Sequence, residues 1–174
     1  MNTKEIEQLG YQALRAYLER EYGAERFTIQ DIRNSKNLGC DFKIILDGKE
    51  LFIELKASKN KSLPTNIRFT HQTIATMYNA DIIGQMIVAF VYNLSEGIDS
   101  AKFNFFRFGD FQPTQIFVEP HFIIQPKQTI NNAEKLKIPS PIKETLNELL
   151  YSEESNYNID ELFESKVSTH MKLK

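Results

Sequence analysis

Two apolar-rich runs flank Asp47-Gly48, and no other feature of the 174-residue chain constrains the fold as tightly. Residues 41–46 read Asp-Phe-Lys-Ile-Ile-Leu and residues 49–57 read Lys-Glu-Leu-Phe-Ile-Glu-Leu-Lys-Ala. Asp-Gly between such runs is a strong signal for a two-residue turn, because both turn positions require a positive φ. The spacing therefore predicts a hairpin closed at Leu46 and Lys49. A three-residue Asp47-Gly48-Lys49 loop would shift the register by one. Counting outward from Leu46 opposite Lys49 sets Asp41 opposite Glu54 on one face. Lys56, two residues on, shares that face by strand alternation. Phe42, Ile44, Leu46, Leu51, Ile53 and Leu55 point the other way and form a candidate core.

Directly opposed side chains have Cβ atoms about 4.5–5.5 Å apart, so two carboxylates there repel unless a proton or cation lies between them. Oxygen ligands of this kind suit Mg²⁺ or Mn²⁺, which polarise phosphates and acidify water. A nearby lysine orients that water or offsets developing charge.

These residues carry a family resemblance. Gly39-Cys40-Asp41 with Ile53-Glu54-Leu55-Lys56-Ala57-Ser58 resembles the G-x-D and φ-E-φ-K-x-S pattern (φ apolar) of the PD-(D/E)xK nuclease superfamily. The resemblance spans residues 2 to about 124. It implies an α/β, restriction-endonuclease-like core, a mixed central sheet flanked by helices, and Mg²⁺-dependent hydrolysis of DNA phosphodiesters by a metal-activated water, with Mn²⁺ able to substitute. Carried over, Asp41 and Glu54 hold the metal together with the backbone carbonyl of Leu55, and Lys56 positions the water. The family often adds a glutamate from the first helix. Glu7, beside the apolar face and one turn from Gly10, is the preferred candidate, with Glu5 and Gln12 as alternatives. Cysteine rather than proline precedes Asp41, and the composition is not basic overall.

The first helix is predicted from the repeat Ile6, Leu9, Ala13, Ala16, Tyr17, an Asn2/Glu5 capping box and a terminal Gly23. A short strand at 27–29 and a loop at 34–39 precede the hairpin. After it come a short strand at 67–69, a helix from Thr70 to about residue 79, an apolar strand at 86–93, and strands at 103–108 and 116–124. Past residue 125 the pattern becomes a polar linker, then helices at 142–151 and near 159–163. The chain thus reads as a nuclease-like domain, residues 1–125, with an acidic helical extension, residues 126–174, packed on it.

The net charge of −2 hides a gradient. Residues 55–80 hold no acid but contain Lys56, Lys59, Lys61, Arg68 and His71, whereas residues 144–164 are acidic without Lys or Arg. Lys59, Lys61 and Arg68 form a candidate phosphate-contacting edge, and His71 and Gln72 join it through a helix N-terminus. The bland reading of the basic edge is a solvated loop, and that of His71 a surface histidine. Cys40 reads as a small buried side chain, and Phe103, Phe105, Phe106 and Phe108 as core rather than base-stacking groups.

One cysteine, no secretory signal and no apolar run near 20 residues fit a cytoplasmic protein outside the membrane. DNA is the expected substrate, with RNA left open. Cutting two strands with one site per chain calls for a homodimer. The alternative is a non-cleaving nucleic-acid- or protein-binding subunit of a larger assembly that keeps the fold, and a partner subunit would then supply specificity.

Overall fold

The computed structural model describes residues 1–34, 38–70, 73, 76, 80, 82, 85–108, 112–117, 133–138 and 142–150. The first helix, α1 (Thr3–Tyr22), starts where the sequence predicts. The Asn2 side chain accepts from the Glu5 N–H at 3.0 Å, and the Asn2 N–H donates to the Glu5 carboxylate at 2.7 Å. The helix stops at Gly23, whose φ of 83° is cheap only for glycine. Gly10, Ala13, Leu14, Tyr17, Leu18 and Tyr22 recur at three- and four-residue spacing and form its buried face.

Strands β1 (Phe27–Asp31), β2 (Phe42–Leu46), β3 (Lys49–Ala57), β5 (Met86–Tyr92) and β6 (Lys102–Arg107) form a five-stranded mixed sheet in the order β1-β2-β3-β5-β6. The β3/β5 pair is parallel and the others antiparallel. The β2/β3 turn has two residues, with φ of 50° at Asp47 and 80° at Gly48, and Leu46 pairs with Lys49. An Arg26–Asp47 ion pair braces it. Strands β4 (Asn66–Thr70), β7 (Gln112–Phe117) and β8 (Ala133–Lys137) form a second, antiparallel sheet in the order β4-β8-β7.

The five-stranded sheet is covered on both faces. On one, Phe42, Ile44, Leu46, Leu51, Ile53, Ile87, Ala89 and Phe105 pack with Leu14, Tyr17 and Leu18 of α1. Leu146 and Leu149 of the short helix α2 (Leu146–Leu150) join that core. On the other, Phe52, Met86, Val88, Phe90, Phe106 and Phe108 meet Ile67 and Phe69 of β4. Double coverage explains why β5 is an unbroken apolar run. Each such side chain contributes about 1.5–3 kcal/mol of burial.

Two expectations need correction. The polar linker holds a strand, β8. Its Ala-Glu-Lys-Leu-Lys sequence has little intrinsic strand preference, and pairing with β4 and β7 on either side makes it one. Pro113 lies inside β7, at a register shift on an edge strand, where a missing N–H is tolerated. Of the expected helix after Thr70, only Thr73, Thr76 and Ala80 are described. Thr73 and Thr76 are helical, and the Ala80 N–H donates to the Thr76 carbonyl at 3.0 Å. The expected helix near 159–163 lies outside the described residues. Among the described residues, no helix is long and apolar enough to cross a membrane.

Candidate functional site

The β2/β3 ladder keeps the predicted register from Leu46↔Lys49 to Phe42↔Ile53, and stops one residue short of Asp41. There the Asp41 N–H donates to the Ile53 carbonyl at 3.0 Å, so Asp41 and Phe42 both meet Ile53. Two residues against one is the count of a β-bulge, which re-aims a side chain. As a result Asp41 does not stand square across from Glu54. Its Oδ2 accepts the N–H of Leu55, one residue further along, at 2.8 Å. The Asp41 carbonyl accepts from Ile32 at 2.9 Å, tying the bend to the end of β1.

Glu54 is only 9% exposed, and its Oε1 lies 2.5 Å from Lys56 Nζ. The Lys56 ammonium also sits 5.2 Å from the Phe69 ring centroid, a cation–π contact from the second sheet. In an extended strand a residue's N–H and C=O leave on the same edge. The Leu55 carbonyl therefore emerges on the edge where its N–H meets Asp41, past the end of β2.

Glu7 comes from α1, and Gly10 brings it close. A Cβ at Gly10 would lie 2.6 Å from the Ala57 Cβ, so the helix rides nearly on the backbone of β3. Glu7, Arg33, Asp41, Phe42, Glu54, Leu55 and Lys56 line one cleft of about 200 Å³. Glu5, the alternative, is spent on the helix cap. Gln12 is exposed and does not line the cleft.

Burial pushes the Asp41 carboxyl above its ordinary range, against the Leu55 hydrogen bond and the charges of Lys56 and Arg33. It does the same to Glu54, helped by the charge of Asp41 and opposed by Lys56. Two largely desolvated carboxylates in one cleft are a place where a cation lowers the electrostatic energy. Among the described residues, no three His, Cys, Asp or Glu side chains are grouped closely enough to hold a metal by themselves. Mg²⁺ does not require such a cage: one or two carboxylates with waters and substrate oxygens suffice. Asp41, Glu54 and the Leu55 carbonyl fit that donor set.

Lys59 and Lys61 of the expected phosphate-contacting edge do not line this cleft. Lys59 and Lys61 are exposed beyond β3, and Lys61 is paired with Glu96 at 2.5 Å. Arg68 lies in β4 opposite Lys135, and His71 and Gln72 lie outside the described residues. Cys40 is buried against the second-sheet core, and burial, with the charges of Glu54 and Asp41, pushes its thiol up to about 12. Such a thiol is not a nucleophile at neutral pH. Phe105, Phe106 and Phe108 are core, split between the two faces of the sheet.

Sequence reasoning missed Arg33. Its signal was Asp31-Ile32-Arg33, an acid and a base flanking one buried apolar residue, a few residues before Asp41. Compared with known proteins, the chain matches no family model and no curated protein.

Proposed function

We propose that this protein is a Mg²⁺-dependent endonuclease with a PD-(D/E)xK, restriction-endonuclease-like core, hydrolysing phosphodiester bonds of DNA. The observation that carries this reading is the meeting of Glu7, Asp41, Glu54 and Lys56 in one cleft, at the end of a strand pair that stops to admit them.

Asp41, Glu54 and the Leu55 carbonyl would hold Mg²⁺, or Mn²⁺ in its place, and the chemistry supplied there is polarisation of the scissile phosphate and acidification of a water. Asp41 keeps Oδ2 on the Leu55 N–H, which fixes its carboxylate plane and leaves Oδ1 for a ligand role. Lys56 carries positive charge at the cleft and donates hydrogen bonds that orient the attacking water or offset charge developing on the phosphate. Glu7 adds a carboxylate from the helix side. A homodimer would serve double-strand cleavage, one site for each strand, whereas a partner subunit would supply sequence preference.

The test is single substitution of Asp41, Glu54 and Lys56 by Ala, each checked for folding by circular dichroism. Metal-dependent cleavage is expected to fall in all three, and its survival in all three would refute this mechanism.

A further inference from the structure

The cleft holds three carboxylates, and a polyanionic backbone is repelled by them unless cations offset the charge. Of its two cationic side chains, Lys56 is paired with Glu54 and is already assigned to the attacking water in the nuclease reading. The other is Arg33. Its Nε donates to Asp31 at 3.0 Å to one oxygen and 3.1 Å to the other, and its Nη2 donates at 2.5 Å. The guanidinium lies 5.4 Å from the Phe42 ring centroid. Asp31 and Phe42 therefore hold the planar group in one orientation, while it remains 39% exposed.

A guanidinium has five N–H donors, and the Asp31 contacts use only the Nε–H and one on Nη2. The other three have no acceptor among the described residues. The Ile32 N–H bond to the Asp41 carbonyl, 2.9 Å, ties the backbone beside Arg33 to the metal-ligand candidate itself. A fork whose orientation is already set, with three donors unpaired among the described residues beside a cation-demanding carboxylate pair, matches the geometry of a phosphate's non-bridging oxygens.

We infer that Arg33 is a substrate-binding residue that takes a backbone phosphodiester of the nucleic acid at the mouth of the cleft, oriented by Asp31 and Phe42. The inference rests on the nuclease reading for its ligand class, but its test does not require cleavage. Binding of a short fluorescent duplex is measured by anisotropy in Ca²⁺ across a salt series, for wild type, Arg33→Ala and Arg33→Lys, with thermal melting as the check on folding. A second set of duplexes replaces one backbone linkage at a time by a neutral methylphosphonate, and single-stranded RNA is run in parallel.

Arg33→Ala is expected to weaken binding about tenfold or more, and to lower the log–log salt slope by about one phosphate contact. Arg33→Lys should recover part of the loss, because it restores charge without the fork. One methylphosphonate position should weaken wild type but cost Arg33→Ala nothing further, a coupling that a merely structural arginine would not show. Equal affinity and salt slope in wild type and Arg33→Ala would overturn the inference. Wild type that binds with the expected Arg33 dependence but never cleaves in Mg²⁺ or Mn²⁺ would sustain the inference while removing the nuclease reading. Wild type that binds neither duplex nor RNA would overturn both.

Discussion

Gly10→Ala tests how closely α1 must approach the site. The added Cβ would stand 2.6 Å from the Ala57 Cβ and 3.5 Å from a Leu55 methyl carbon. Carbon atoms rest at about 3.5–4.0 Å, so α1 must move away from β3 by about 1 Å. The Ala57 Cβ is attached directly to the strand backbone and cannot swing aside. Overpacking of this kind costs about 1–3 kcal/mol, while replacing a mid-helix glycine by alanine returns about 1 kcal/mol of helix propensity. A net loss of about 1 kcal/mol is expected in urea unfolding. Glu7 lies one turn before Gly10, and Ala57 directly follows Lys56, so the same displacement widens the cleft. A misplacement of about 1 Å can cost on the order of 100-fold in rate, and cleavage should fall further than stability explains. In the Gly10→Ala, Ala57→Gly double variant the clash disappears, and both losses should largely reverse. A Gly10→Ala protein as stable and as active as wild type would refute the close-approach reasoning.

Asp41→Asn keeps an oxygen for the Leu55 N–H but removes one of two mutually repelling carboxylates, so it should abolish cleavage while leaving neutral-pH stability equal to wild type or higher. The pH profile carries the sign of that repulsion. Asp41 and Glu54 both stand above their ordinary range, so their protonation favours the fold; this contribution is fully present below about pH 4 and lost as pH rises through the raised values. Urea midpoints corrected for the other carboxylates by the Asp41→Asn, Glu54→Gln double variant should show that loss, and a difference that grows in the opposite direction would contradict it. Tyr17→Phe removes the hydroxyl that accepts the buried Leu146 N–H at 3.0 Å, so an unpaired donor should cost about 1–3 kcal/mol and speed hydrogen exchange in α2 first. Unchanged exchange at 146–150 would show that this bond does not latch α2. The Cys40 thiol, buried and pushed up to about 12, should resist a disulfide reagent at pH 8 until urea unfolds the chain, and stoichiometric reaction of the native protein within minutes would contradict its burial.

Much of the site was legible because it rests on local rules. Asp47-Gly48 sets a two-residue turn, the turn sets the register, and alternation then separates Phe42, Ile44, Leu51 and Ile53 from Glu54 and Lys56. Glu7 was legible through Gly10, a small residue on the buried face of a helix. The bulge at Asp41 was not, because a side-chain oxygen on the Leu55 N–H competes with the next ladder pair, and that competition is decided by geometry rather than residue type. Arg33 escaped notice because its neighbours Phe42 and Asp41 lie further along the chain, beyond β1. The Lys61–Glu96 pair likewise joins distant segments, so a basic stretch read along the chain did not show that Lys61 has an acidic partner. Strand β8 exists through its partners: charged residues at Glu134, Lys135 and Lys137 mask a segment that two neighbouring strands recruit.

The most direct test of the nuclease reading is cleavage of plasmid, linear duplex, single-stranded DNA and RNA by purified wild type, in Mg²⁺, in Mn²⁺, and in EDTA before and after metal is restored, with Glu54→Ala beside it. The expected result is nicked or linearised DNA that disappears with EDTA, returns with metal and is absent in Glu54→Ala. Folded wild type that cuts none of the four substrates in either metal, or cleavage that Glu54→Ala retains in full, would contradict it.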